Sequence, residues 1–160
     1  MVAYIFKKEV KQKKKIQDFT IKQLGGHVTL HDSYPLTIVK ECAEELGFPA
    51  IVLPEEDFKK ALGLIDLDII GMFREVEEIR GFQSVRKTKV GDFIQPYISA
   101  FFIGYYEGSI RFRDGEASGI ETFSLEELEQ DLKNNPEKYT EDLKFMIDRY
   151  AEYLVPLKKI

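Results

Sequence analysis

The segment from Gly25 to Pro49, GGHVTLHDSYPLTIVKECAEELGFP, is punctuated at both ends and constrains the fold more than any other stretch. Gly25-Gly26 breaks whatever pattern precedes it. Asp32-Ser33 offers an N-cap, and Pro35 suits the first turn, where its missing N–H leaves no helical bond unmade. A helix then runs to Leu46. Gly47 suits the position just past a helix end, and Pro49 forbids continuation. At about 100° per residue, Val39, Cys42, Ala43 and Leu46 gather on one side, with Leu36 at its edge. A short helix with one apolar side is stable only if that side packs against another element.

The partners are strands. VAYIF (Val2 to Phe6) and IQDFTIKQL (Ile16 to Leu24) read as strands joined by a lysine-rich loop. LPEEDFKKALGL reads as a short helix, and LIDLDIIGMFRE as a strand. FIQPYISAFFIGYY is rich in aromatic and β-branched residues, which suit a buried sheet. SIRFRD and GIETF add shorter strands, with Gly108-Ser109 as a turn. Ser124 and Glu127 form a capping-box pattern opening a helix through Lys133. Thr140 caps a last helix, over about 140–155, with an apolar stripe of Leu143, Ile147, Tyr150 and Leu154. The order mixes strands and helices without the strict alternation of a doubly wound sheet, so the class is α+β. With 160 residues, a single domain over 1–160 is expected.

Composition narrows the function classes. The chain is 44% hydrophobic and 32% charged, enough to bury a core and remain ordered. Its net charge of -5 speaks against nonspecific nucleic-acid binding; the basic run KKEVKQKKK reads as a solvated loop. No apolar run is long enough to span a bilayer as a helix, and none near Met1 resembles a secretion signal. One cysteine forms no internal disulfide, and a reducing cytoplasm is the expected setting.

The polar side of the Pro35–Leu46 helix carries the chemistry. Glu41 and Glu45 are i,i+4 neighbours, and Glu41 and Glu44 are i,i+3 neighbours, so three carboxylates share one face. Like charges so placed repel by a few tenths of a kcal/mol per pair. A divalent cation reverses that balance, because Mg²⁺ and Mn²⁺ take oxygen ligands and Mg²⁺ commonly shares them with phosphates. An ordinary solvated acidic face is the competing reading.

The frame around the carboxylates is specific. Gly26 is followed by five residues, Asp32, seven residues, then KECAEELGF. This resembles the Nudix box, in which Gly, Glu, Arg-Glu-apolar-any-Glu-Glu-any-Gly-apolar recur at these spacings. Gly26, Glu41, Glu44, Glu45 and Gly47 match, Cys42 and Phe48 fill the apolar positions, and the match spans 23 residues, Gly26–Phe48. Asp32 stands for Glu and Lys40 for Arg. Both keep their charge, but lysine lacks the planar fork of arginine. DGEASGIETFSLEELEQDL resembles the family's late strand and capped helix.

The resemblance implies a Nudix-like α/β/α sandwich with a mixed β-sheet and a loop-helix-loop catalytic motif. It implies a Mg²⁺- or Mn²⁺-dependent hydrolase that cleaves the diphosphate linkage of a small-molecule substrate such as a nucleoside diphosphate derivative. Glu41, Glu44 and Glu45 would then be the catalytic, metal-binding carboxylates, with the carbonyl of Gly25 a further ligand. Glu116, or alternatively Glu121, would be the additional acidic residue, and Asp32 and Lys40 would hold loop and helix together. His27 and Arg86 are the candidate substrate contacts, from a wider basic set of Arg74, Arg80, Lys87 and Lys89; an exposed hairpin is the plain reading of that set. Phe82, Tyr97 and Tyr105 are read either as base-stacking rings or as core. Cys42 is read as packing rather than as a nucleophile, and His31 as a surface residue. Two alternatives stay open: a non-catalytic Nudix-fold nucleotide-binding or sensing module, and a structural protein. The last helix, with Tyr150, Tyr153 and Leu154, either forms a homodimer interface or packs on its own sheet.

Overall fold

The structure, a computed structural model, describes residues 2–9, 18–25, 28, 31–88, 90–111 and 122–153. Six strands form one mixed sheet: β1 (Val2–Glu9), β2 (Asp18–Gly25), β3 (Ala50–Val52), β4 (Gly71–Thr88), β5 (Gly91–Tyr105) and β6 (Thr122–Phe123). Their order across the sheet is β3-β4-β5-β1-β2-β6. β1 runs parallel to β5, with Val2 opposite Phe101, and β3 runs parallel to β4. The other pairings are antiparallel. Four helices complete the fold: α1 (Tyr34–Glu41), α2 (Glu55–Ala61), α3 (Leu125–Asn134) and α4 (Glu141–Tyr150). The class is α+β.

The apolar run of β5 is buried on both faces, which is why it lacks a polar alternate. Successive side chains point to opposite sides of a sheet. Phe101, Ile103 and Tyr105 therefore enter one core with Phe58 of α2, Leu128 of α3 and Leu143, Met146, Ile147 and Tyr150 of α4. Ala100 and Phe102 enter another, with Phe73, Tyr106, Ile38, Cys42, Leu46 and Phe48. Helices thus cover both faces of the sheet.

Helix signals in the sequence translate directly. Ser33 caps α1, its Oγ accepting from the Leu36 N–H at 3.3 Å. Ser124 and Glu127 form a reciprocal capping box on α3. Thr140 accepts from the Leu143 N–H at the start of α4. α4 packs on the sheet, and Leu154 of its expected stripe lies outside the described residues. Among the described residues no helix is long and apolar enough to cross a membrane.

Two strand expectations shift. The strand expected over Leu64–Glu75 begins only at Gly71. Asp66 accounts for the delay: its Oδ1 accepts from the Asp68 N–H at 3.0 Å, and its carbonyl accepts from the N–H groups of Ile69 and Ile70. An aspartate turn thus outweighs the apolar run around it. Of SIRFRD, residues 109–111 carry no strand and 112–114 lie outside the described residues. Of GIETF, Thr122–Phe123 form β6 and residues 119–121 lie outside the described residues. Phe82 and Tyr105 are core residues and Tyr97 packs half-buried against them, with Phe82 edge-on to Phe101 and Phe145.

Candidate functional site

The acidic segment does not stay a regular α-helix. α1 ends at Glu41, and Cys42–Leu46 forms one wider π turn, closed by Gly47 at φ 73°. The Cys42 carbonyl accepts from the N–H of both Gly47 and Phe48. Glycine takes that left-handed backbone without steric cost. Such π turns inside helices occur often at functional sites. The carboxylate spacing expected of a continuous α-helix therefore does not carry over unchanged: Glu41 sits on the last α turn, and Glu44 and Glu45 sit on the wider one.

The apolar side anchors this turn. Ile38, Cys42 and Leu46 are fully buried against Phe73 and Phe102. Cys42 is a core residue, as its side of the wheel predicts. Glu44 is exposed, and Glu41 and Glu45 are half-buried. Among the described residues, no three His, Cys, Asp or Glu side chains stand together as a group able to hold a metal ion. The other predicted donors come from outside the helix. Gly25 ends β2 opposite Val2. His27, Glu116 and Glu121 lie outside the described residues.

The two positions that depart from the box meet in space. Lys40 Nζ lies 2.6 Å from Asp32 Oδ2 across eight residues of chain, tying the loop to the helix just before Glu41. Next to Asp32, His31 holds a positive φ of 81°. That left-handed backbone is uncommon for a residue with a Cβ, although histidine is among those that adopt it more often.

The basic residues separate. Arg74 is buried on the α2–α4 side, its guanidinium over the Phe58 and Tyr153 rings at 5.9 and 5.0 Å. Arg80 Nε donates to Glu78 at 3.2 Å. Arg86 stands opposite Phe93 near the far end of the β4–β5 hairpin. At about 3.3 Å per residue, its backbone is roughly 26 Å along β4 from Glu78, so the strand does not carry it toward the acidic helix.

A second group adjoins the start of α1. Glu75 and Glu78 of β4 act on Tyr34, whose hydroxyl is pushed up by burial and then by the two carboxylates, against Arg80. Burial, followed by the Glu78 charge, raises Glu75 above the usual carboxylate range. Alternation from Phe73, which packs under α1, places Glu75 on the same face of the sheet. That period-two signal was available in the sequence; the charge interaction with Tyr34 was not.

Comparison with protein-family models, with curated proteins and with solved structures gives no significant match.

Proposed function

We propose that this chain is a divalent-metal-dependent hydrolase that cleaves a diphosphate linkage by water attack on phosphorus, on a Nudix-like α/β/α sandwich. One observation carries the reading: the spacing of Gly26, Glu41, Glu44, Glu45 and Gly47, with Asp32 and Lys40 at the two remaining charged positions of the frame and joined at 2.6 Å. Helices on both faces of a mixed sheet support it, as does the half-exposed acidic turn set on a buried apolar anchor.

The donor set is chemically suited to Mg²⁺ or Mn²⁺: carboxylates and a backbone carbonyl, all hard oxygens. Glu41, Glu44, Glu45, the Gly25 carbonyl and Glu116 would hold the ion. The bound ion would neutralise charge developing on the phosphoryl oxygens. The chain's own work is positional. The Lys40–Asp32 pair holds the loop against the helix. The buried Cys42 and Leu46 fix the acidic turn on the sheet. A carboxylate of the trio takes a proton as a water oxygen bonds to phosphorus, and the bridging P–O bond breaks with its electrons on the leaving phosphate.

A substrate panel tests this. Wild-type chain with Mg²⁺ or Mn²⁺ is assayed against ADP-ribose, dinucleoside polyphosphates, nucleotide sugars, NADH, oxidised nucleoside triphosphates and isopentenyl diphosphate. Turnover of one compound, lost in Glu44→Gln or Glu45→Gln, supports the hydrolase. Tight binding of one with turnover of none replaces it with a nucleotide-binding module.

A further inference from the structure

The β4–β5 hairpin is far longer than the sheet that holds its base. β3 pairs only with Gly71–Phe73 of β4, and β1 only with Phe101–Tyr105 of β5. Beyond Phe82 and Tyr97, which α4 covers through Phe145 and Asp142, residues 83–88 and 90–96 form a two-stranded arm. Among the described residues no other strand pairs with it. Among the described residues Val90 of the arm is 100% exposed, Phe93 51% and Ile94 60%, and Ile98 at its base is 47% exposed. Apolar side chains concentrated on a projecting arm mark an interaction surface rather than a core.

A groove of about 740 Å³ opens at the base of the same arm. Phe82, Leu132, Phe145 and Ile147 supply its apolar lining, between α3, α4 and the start of the arm. Alternation along β5 places Phe93 on the sheet face of Tyr97, Phe101 and the groove, and Ile94 on the opposite face. The ladder sets Arg86 opposite Phe93. The arm's sequence carries Arg86 and Lys87 against Asp92, in a chain of net charge -5. The groove carries Glu129, Glu141 and Asp148 against Lys133 and Lys144.

We infer that the occupant is a second copy of this chain, the two arms lying antiparallel about a two-fold axis so that each places Phe93 in the other's groove. A two-fold interface requires one self-complementary patch on each copy. Arm and groove are such a patch: contiguous, apolar at both ends, with basic residues in excess in the arm's sequence and acidic ones in excess along the groove. The thirteen arm residues and ten further groove residues fall within the roughly 20–30 residues a side of a standard stable interface.

Sedimentation velocity and light scattering on the full chain test this. Wild type runs at twice the 18.6 kDa of one chain. Phe93→Glu, at a half-exposed position, keeps the wild-type circular dichroism but raises the dimer Kd by about tenfold or more. Ile94→Glu, on the other face, leaves the dimer intact. A Val90→Cys/Glu129→Cys chain yields a covalent dimer with a short bismaleimide, and neither single variant does. A monomeric wild type at high micromolar concentration overturns the inference. So does a dimer that Phe93→Glu leaves unchanged, one that Ile94→Glu abolishes, or a double-cysteine chain that does not cross-link.

Discussion

Gly104→Ala is the sharpest test of how the sheet carries the acidic turn. Gly104 lies in β5 opposite Phe73 of β4. A Cβ there would fall against the Phe73 ring, inside van der Waals contact with three of its carbons. Phe73 has no room to retreat: it is fully buried in the core that includes Ile38, Cys42 and Leu46. Overpacking of this kind costs about 1–3 kcal/mol. Replacing a strand glycine returns roughly 0.5–1 kcal/mol of backbone entropy, and the net loss centres on about 1 kcal/mol. For a chain of this size each kcal/mol moves Tm by about 2–4 °C, so the expected fall is roughly 2–4 °C by differential scanning calorimetry. Phe73→Leu should relieve the clash, and the double variant should be more stable than the two single effects sum to, by about 0.5–2 kcal/mol. An unchanged or raised Tm in Gly104→Ala, or strict additivity with Phe73→Leu, refutes the packing described between β4 and β5.

Three further outcomes follow from the charges. The Tyr150 hydroxyl, raised to about 12 by burial and then by its bond to Glu77, is neutral in the fold at pH values where the unfolded side chain, near 10, already ionises. Its stabilisation is full below pH 10 and lost as pH rises toward 12; urea midpoints should fall over that window in wild type and fall less in Tyr150→Phe. Glu75 follows the same sign in a lower window: its carboxyl is raised by burial and then by Glu78, so stability is lost as pH rises above the ordinary carboxylate range and the ionised group is a net cost at pH 7. Glu75→Gln should raise the urea midpoint at pH 7 and leave it unchanged near pH 4. Lys40→Ala and Asp32→Ala remove a partly exposed ion pair worth about 0.2–1 kcal/mol, so Tm should barely move. Hydrolysis should nevertheless drop about 10–100-fold if the pair positions the acidic turn; equal small losses in both readouts would reduce it to a surface contact.

Local signals in the sequence carry well where one residue decides one geometry. Ser33, Ser124 and Thr140 cap the helices they mark, and Gly47 takes the left-handed end. The burial of Cys42 follows from its side of the wheel, and the joining of Asp32 to Lys40 is what the resemblance to the Nudix box implied. What was not legible required either competing local bonds or distant partners. The apolar run from Leu64 hides an aspartate turn whose hydrogen bonds outweigh strand propensity. The π turn at Cys42–Leu46 inserts one extra backbone position, and side-chain periodicity over so short a stretch cannot separate it from an α turn. Tyr34 and Glu75 belong to elements some forty residues apart and meet only through the packing of α1 on β4. An exposed hairpin around Arg80 to Lys89 is readable in the sequence; how far the arm runs past its neighbours β1 and β3 is shown only by the strand pairing.

The central claim rests on the carboxylates of the acidic turn. The most direct measurement is the release of phosphorylated product from the diphosphate panel by wild-type chain, with Mg²⁺ or Mn²⁺ and with chelator, beside Glu44→Gln and Glu45→Gln of unchanged Tm. The account predicts metal-dependent cleavage of at least one compound, falling by about 100-fold or more in each variant. Cleavage indifferent to both glutamates and to chelator, or no cleavage of any compound by wild type, would contradict it.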